Sequence, residues 1–446
     1  MNKKMLFVFV SVIMFLGACE SEKSIDELAM DDENVFVENT YSLDKEEVLL
    51  EVKSFFQTNS KGMLRSGQES NLDYEVEELK SIPVQLEDKS SRGRQTYQKV
   101  PIYTVQYKNE SGKPVGYSVV IGDDRVSNKI VAHNTEGKCD IFDATTADYW
   151  EDRISGYIYN EINTETSKDA VNLRSGSLPI FYYNMLNWGT SWHHHGNPYS
   201  NYTPFRGSVR ASAGCTAAAM GEIMAYHQWP RRGAYKKYEQ VNVLKDVVTD
   251  YSSHNWYLIN KDDSYTLPSD PNARNHISNL LAEIAYKLNT NFVNQSEAYA
   301  YPSDAPAVFR QMGYNSGGVK HLSSYYDPDT FFELIRKDVV DLRRPVFMAA
   351  WTAPGQGGHA FVINGVITNG DQYRDYKTVA YIYVVNVNAG SGDSWYLSDI
   401  FKNPSSAQGP FLYQYRYNSL IVNDIYPNAA NQGSTSIYRV SSTNPY

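Results

Sequence analysis

The stretch SAGCTAAAMGEIMAYHQWP, residues 212–230, decides how this chain of 446 residues is interpreted. Its small and apolar residues predict a helix over residues 216–228, which a Trp-Pro pair ends. Gly214 supplies the backbone freedom for a tight turn before that helix. The helix begins at or just after Cys215, where the positive end of the helix dipole favours the reactive thiolate. Taken alone, the segment is equally compatible with a small buried cysteine that has no chemical role.

A histidine and an asparagine follow at the spacing of a papain-like cysteine peptidase. The segment GQGGHAFVING, residues 355–365, places His359 at the start of a predicted strand, 144 residues after Cys215. The segment YIYVVN, residues 381–386, predicts another strand that ends at Asn386. His359 would remove the thiol proton and later protonate the leaving amine, while Asn386 fixes the orientation of the ring. The backbone N–H of Cys215 would hold the developing oxyanion.

These motifs resemble the streptopain family of bacterial cysteine peptidases. The run from Gly214 to Pro230 is similar to that family's nucleophile helix, and GGHAFVI at residues 357–363 is similar to its histidine strand. GNPY at residues 196–199 resembles the segment ahead of the nucleophile, and GYSVVIGDDR at residues 116–125 resembles the inhibitory pro-segment. The resemblance implies an α+β, papain-like fold with a helical half and an antiparallel β half. It also implies a pro-domain that blocks the cleft until proteolysis near a linker releases it.

Two departures from the family's pattern bear on activity. Where the family has a Gln that helps to bind the oxyanion, this chain has His195, whose N–H could donate instead although the ring titrates. We group His195 with Gly214 and Gly358 as oxyanion or substrate-binding residues. The family's Trp directly after the catalytic Asn is Val387 here. These departures keep open a papain-like surface lipoprotein that binds peptides or host proteins without cutting them, and a Cys-dependent amidase acting on cell-wall peptides is a third hypothesis.

The N-terminus has the features of an exported lipoprotein. A basic start and an apolar run from Met5 to Leu16 match a signal peptide and are too short to span a bilayer comfortably. The following Gly-Ala-Cys resembles the end of the lipobox of bacterial lipoproteins. We therefore expect cleavage before Cys19, lipid on its thiol, and attachment to a bacterial membrane or to the cell surface. The alternative is a plain secretory signal that ends near a cysteine.

Domain boundaries follow from shifts in composition. We assign residues 1–18 to the signal peptide, 19–35 to the lipidated cysteine and tether, 36–166 to an inhibitory pro-domain, 167–177 to a cleavable linker and 178–446 to the catalytic domain. The linker is polar and rich in small residues, which suits proteolytic cutting. A small α+β pro-domain is predicted from helices and strands over residues 44–58, 100–107, 116–121, 129–133 and 147–162.

In the larger domain, predicted helices come before predicted strands. The helices cover residues 216–228, 275–288 and 330–342, and the strands cover 346–350, 359–363, 378–387 and 417–422. Helices first and strands later suggest two subdomains, one helical and one β, with a cleft between them. Protein or peptide substrates and the chain's own pro-domain are the partners we expect at that cleft.

Composition and cysteine count exclude several other classes. The net charge of −10 and the absence of a basic cluster argue against a nucleic-acid partner. The run His193-His194-His195 lacks the spacing of a metal site, and we expect neither metal nor cofactor. A serine hydrolase is disfavoured because no Gly-x-Ser-x-Gly motif occurs. With Cys19 used for the anchor, Cys139 and Cys215 either form one bridge or one thiol is kept for chemistry.

Overall fold

The computed structural model describes residues 34–63, 72–86, 95–135, 137–142, 147–163, 180–182, 200–241, 243–260, 270–295, 297–322, 328–351, 358–369, 378–385, 393–401, 419–434 and 437. The predicted signal peptide, the lipid site at Cys19 and the linker over residues 167–177 lie outside these residues. Within the described part, no helix is long and apolar enough to cross a membrane.

The region predicted to be the pro-domain combines two helices with a sheet. Its elements are β1 Asn34–Val37, α1 Lys45–Met63, β2 Asp73–Leu86, β3 Gln95–Lys108, β4 Pro114–Ile121, β5 Ile130–Asn134 and α2 Ala147–Asn163. Both predicted helices and all three predicted strands are present, and this region is α+β as expected. The sequence did not predict β2, which pairs along almost the whole of β3. Its charged residues are largely exposed, and buried apolar residues mark it only near its end, at Ile82 and Val84.

The larger region begins with short strands and helices. Its first elements are β6 Ile180–Tyr182, β7 Phe205–Arg206, β8 Val209–Arg210, α3 Cys215–His227, β9 Arg232–Gln240, β10 Val243–Asp250, α4 Ser253–Asn260, α5 Pro271–Lys287, β11 Asn291–Phe292, β12 Ala298–Tyr299, α6 Ala305–Gln311, β13 Tyr314–Asn315, β14 Val319–His321 and α7 Pro328–Arg336. The predicted helices correspond to α3, α5 and α7. Helix α7 continues as a π-helical turn over Lys337–Asp341.

Antiparallel strands follow these helices, as the sequence predicted. They are β15 Val346–Trp351, β16 Gly358–Asn369, β17 Thr378–Val385, β18 Ser394–Leu397, β19 Leu420–Val422 and β20 Tyr426–Pro427. The helical and β parts of this region therefore correspond to the two halves expected of the fold. The overall class is α+β.

One twelve-stranded sheet runs through both regions. Its order is β1-β3-β4-β5-β18-β17-β16-β15-β19-β14, with β2 pairing to β3 and β6 pairing to β16. The regions join where β5 pairs with β18, which places His133 opposite Trp395 and Ala132 opposite Tyr396. The sequence did not predict this junction, because a pair between strands distant in the chain leaves no local pattern.

Helix α3 lies at the centre of the larger region. Every residue from Thr216 to Ala225 is buried, which is typical of a helix that is apolar on all sides. Its alanines and Gly221 let α3 pack closely on β15, β16 and α5. This packing sets the start of α3 against the histidine strand, so it positions the candidate site.

Candidate active site

The turn before α3 depends on a glycine. Gly214 has φ 89° and ψ 154°, a conformation that side chains with a Cβ rarely adopt. A Cβ on Gly214 would also lie 3.1 Å from the carbonyl oxygen of Ala298. The same turn is tied to the β11–β12 hairpin, because the backbone N–H of Ser212 donates to the carbonyl of Gln295 at 2.9 Å. The predicted tight turn before Cys215 is therefore confirmed, and α3 begins at Cys215.

The thiol of Cys215 is surrounded by hydrogen-bond donors, and the residue is half-buried against the core. Burial raises the pKa of this thiol, and it is the largest influence on it. The backbone N–H of Ala360, the hydroxyl and N–H of Thr216, and the N–H of Cys215 itself act in the opposite direction and lower the pKa. The helix start supplies thiolate-stabilising donors as predicted. The prediction that the thiolate is favoured is nevertheless wrong, because the pKa of Cys215 is raised overall. Desolvation outweighs the donors and disfavours the thiolate.

His359 lies on β16 beside the residue that contacts this thiol. It pairs with Ala350 of β15, and its neighbour Ala360 directs its backbone N–H to the Cys215 sulfur. The His359 side chain is half-buried, and its ring stacks on that of Phe361 with centroids 6.4 Å apart. The structure therefore brings the nucleophile turn and the histidine strand together. The catalytic roles assigned to Cys215 and His359 stay predictions.

Of the other predicted site residues, some are described and some are not. Gly358 is exposed and opens β16, opposite Trp351. Asn386, His195 and the departure at Val387 lie outside the described residues. The last described residue of β17 is Val385, which pairs with Val362 and immediately precedes Asn386 in the chain.

Two questions left open by the sequence concern cysteines and metals. Neither Cys139 nor Cys215 forms a disulfide, so the alternative of a bridge between them is wrong for this structure. Among the residues that the structure describes, no group of three or more His, Cys, Asp or Glu could hold a metal ion. The histidine run at residues 193–195 falls outside that search.

Sequence reasoning missed the hydrogen bond from Ala360 to the thiol and a contact from α2. The donor at Ala360 is its backbone N–H, so no residue type signals it. Trp150 of α2 stacks on Tyr396 with ring centroids 3.8 Å apart and an interplanar angle of 5°. Its ring also lies 6.3 Å from that of Phe361, the residue on which His359 stacks. A row of rings therefore links the predicted pro-domain to the histidine strand.

Glu222 is a buried carboxyl group two turns after Cys215 on α3. Its Oε2 atom has no hydrogen-bond partner among the described residues. Burial, with a smaller contribution from the nearby Asp393, raises the pKa of Glu222 well above its ordinary value. Glu222 is thus a neutral acid inside the helix that carries the nucleophile.

We expect Glu222→Gln to stabilise the fold increasingly as the pH rises. In the unfolded chain a glutamate loses its proton near pH 4.3, while the buried Glu222 retains it, so wild-type stability falls above that pH. The free energy of unfolding of the wild type can fall by at most about 1.4 kcal/mol per pH unit through this group. The amide of the variant does not titrate, so the variant lacks this loss. Thermal unfolding of both proteins at pH 5 and pH 8, in a Cys215→Ala background, measures the difference. A stability gap that is equal at the two pH values would contradict a neutral Glu222.

Comparisons with known proteins concern the region that holds this site. Residues 192–396 match the family model described as the Peptidase C10 family, and the match includes Cys215, His359 and Asn386. The thiol protease/hemagglutinin PrtT of Porphyromonas gingivalis is 24% identical over 235 residues, which cover 48% of this chain and 26% of that protein. Streptopain of Streptococcus pyogenes is 24% identical over 280 residues, which cover 56% of this chain and 65% of that protein. The match thus spans less than two thirds of either relative.

Among solved structures, a prointerpain A fragment from Prevotella intermedia is similar to this chain with a TM-score of 0.49 and 16% sequence identity. The similarity covers 78% of this chain and 99% of that chain. Active interpain A from the same organism has a TM-score of 0.39 and 17% identity, and covers 55% of this chain and 96% of that chain.

Proposed function

We propose that this chain is a member of the peptidase C10 family, whose model matches residues 192–396, and that it is a cysteine endopeptidase synthesised as an inactive precursor. One observation carries the proposal. The Cys215 thiol, at the start of α3, lies within hydrogen-bonding reach of the backbone N–H of Ala360, which follows His359 on β16. Hydrolysis through a thiol needs a nucleophile and a base on two elements that meet at one place, and these two elements meet there.

The chemistry assigns one role to each group. His359 takes the thiol proton, and the sulfur attacks the peptide carbonyl while the N–H of Cys215 binds the oxyanion. The amine leaves with a proton from His359, and water then hydrolyses the thioester on Cys215. Asn386 orients the His359 ring, and His195 is proposed as a further oxyanion donor.

Latency in the precursor is supported by the contacts of the predicted pro-domain, residues 36–166. The β5–β18 pairing and the stacking of Trp150 on Tyr396 dock this region on the same sheet that carries His359. The pKa of the half-buried Cys215 thiol is raised by desolvation, which disfavours the nucleophilic thiolate. We propose that cutting in the linker over residues 167–177 starts activation.

Location and substrates are part of the proposal. The lipobox-like sequence supports export, with lipid attached to Cys19 and the protein held at a bacterial membrane or cell surface. Substrates would then be protein or peptide segments outside the cytoplasm. An extended segment suits a cleft between a helical and a β half.

The test uses the precursor from Lys23 to Tyr446 with reductant, casein and an epoxide inhibitor of cysteine peptidases. We expect self-cleavage between Asn163 and Ser177, casein breakdown, and epoxide mapped by mass to Cys215. The control is Cys139→Ala, which removes the other described thiol and should keep all three results.

The alternatives give different outcomes in the same assay. Absence of cutting, of casein breakdown and of label, even after an added protease trims the linker, would leave the peptide-binding lipoprotein as the better hypothesis. Labelling of Cys215 with hydrolysis of cell-wall peptides but not of casein would indicate the amidase.

A further inference from the structure

His133 lies at the junction between the two regions of the sheet. It is on β5, directly opposite Trp395 of β18, and its side chain is completely buried. The backbone around it joins the regions as well. The hydroxyl of Ser394 donates to the His133 carbonyl at 2.8 Å, and the side-chain amide of Asn134 donates to the Asp393 carbonyl at 2.6 Å. Any change that makes burial of His133 less favourable therefore weakens the contact between the two regions of the sheet.

The surroundings of the His133 ring are aromatic. Trp395 stacks on it at 6.2 Å, and Tyr381 of β17 lies 5.8 Å away, both from the predicted catalytic domain. Phe55 and Phe56 of α1 contact it from the pro-domain side at 5.4 Å and 6.4 Å. Neither ring nitrogen has a hydrogen-bond partner within the described part of the chain. The described surroundings therefore favour a neutral imidazole, since a protonated ring would gain only cation–π attraction from the aromatic rings and no hydrogen-bond acceptor.

No compensating charge faces this ring from the strands around it. Strands β4, β17 and β18 contain no Asp, Glu, Lys, Arg or His at all. Their titratable side chains are tyrosines: Tyr117, Tyr381, Tyr383 and Tyr396. The Tyr381 hydroxyl, on the ring that contacts His133, donates to the Ile130 carbonyl at 3.0 Å.

Two of the described charged side chains of α1 contact groups other than His133. Its described charged side chains are Lys45, Glu46, Glu47, Glu51 and Lys53. Glu51 pairs with Lys129 at 3.4 Å, and the ammonium of Lys53 lies 5.4 Å from the ring centroid of Tyr74. The residues of α1 that face His133 are the two phenylalanines.

We propose that protonation of His133 releases the pro-domain from the catalytic domain, so that mild acid promotes activation of the precursor. The link to activation rests on the proposed function, but the release itself does not. A charged imidazole in an aromatic cage has lost its hydration without gaining a hydrogen-bond acceptor or a carboxylate, and cation–π attraction offsets only part of that cost. Separation removes Trp395 and Tyr381 from the cage and returns the ring to water.

The direction of the pH effect follows from two pKa values. Burial lowers the pKa of His133 to about 3 in the closed precursor. In a separated pro-domain the ring returns towards its ordinary pKa of about 6.5. Below about pH 6.5 the separated parts bind more protons than the complex, so acid favours separation. The dissociation constant should rise about tenfold per pH unit there, or about 30-fold between pH 7.5 and pH 5.0.

The experiment uses the Cys215→Ala precursor, which cannot cut itself, with its linker opened by an added protease. The dissociation constant of the nicked complex is measured at pH 7.5 and pH 5.0 by dilution and analytical ultracentrifugation. We expect the 30-fold rise in this protein and less than a threefold rise in His133→Phe, which keeps an aromatic ring but cannot titrate. His254→Phe is the matched control, because His254 is exposed on α4, and it should keep the full rise.

Two results would overturn the proposal: a dissociation constant that does not change with pH, or a His133→Phe complex that retains the full rise. If His133→Phe does not fold, His133→Gln replaces it. Amide hydrogen exchange at Trp395 and Tyr396 in the uncut protein gives a second readout, with protection expected to fall between pH 6.5 and pH 5.0 after correction for intrinsic exchange. None of these measurements requires peptidase activity. An inactive wild-type enzyme would therefore count against the proposed function alone.

Discussion

Replacing Cys215 with alanine should lower the rate of casein hydrolysis by at least about 10³-fold and abolish self-cleavage of the precursor. The thiol supplies the only bond that the proposed reaction forms with the enzyme, and alanine cannot form it. Burial elsewhere is unaffected, because the methyl group is smaller than the thiol and Cys215 opens a helix that is held by the residues after it. Fluorescent casein and intact mass measure the two effects.

A second substitution tests whether the histidine strand acts with this thiol. His359→Ala should cause a loss comparable to that of Cys215→Ala, and the double variant should be hardly worse than either, since the two groups act in the same step. Losses that multiply in the double variant would show that His359 is not the base for Cys215. A His359→Ala enzyme with wild-type turnover would exclude that role altogether.

The parts of the site that the sequence predicted are those with a local cause. Gly214 needs a conformation that glycine supplies, and the helix after Cys215 is marked by its composition. The strand at His359 was predicted from the short apolar run over residues 360–363 after a glycine, although it extends from Gly358 to Asn369. Each of these features is encoded by adjacent residues, so a single chain is enough to recognise them.

The parts that the sequence missed depend on packing between distant segments. No sequence pattern in β5 or β18 indicates that the two strands pair. The sequences around Trp150 and Tyr396 likewise do not indicate that these two rings stack. The raised pKa of Cys215 also results from packing between distant segments. The helix start is visible in the sequence, but the desolvation that outweighs it comes from the tertiary structure.

A buried ion pair beneath the β9–β10 hairpin was also invisible in the sequence. Lys287 and Glu283 of α5 are completely buried, with the Lys287 Nζ 3.5 Å from the Glu283 Oε1. Glu283 also accepts hydrogen bonds from the Ala234 N–H at 3.0 Å and from the Tyr251 hydroxyl at 3.1 Å. Lys287 donates to the Ala234 carbonyl at 3.2 Å. A Cβ on Gly233 would lie 2.0 Å from the Glu283 carboxylate, so the hairpin packs directly on the pair.

Glu283→Ala should lower the free energy of unfolding by about 3–5 kcal/mol, because it leaves the Lys287 charge buried without its carboxylate. The double variant Glu283→Met, Lys287→Met removes both charges and fills similar volume, and it should be much less destabilised. Urea unfolding of the Cys215→Ala protein and of each variant in that background measures the differences. If the double variant is as unstable as Glu283→Ala, the loss comes from packing and from the hydrogen bonds to β9 and not from an uncompensated charge. In that case the pair stabilises the β9–β10 hairpin through its hydrogen bonds to Ala234. The hairpin packs on α5, and α5 in turn packs on the nucleophile helix α3.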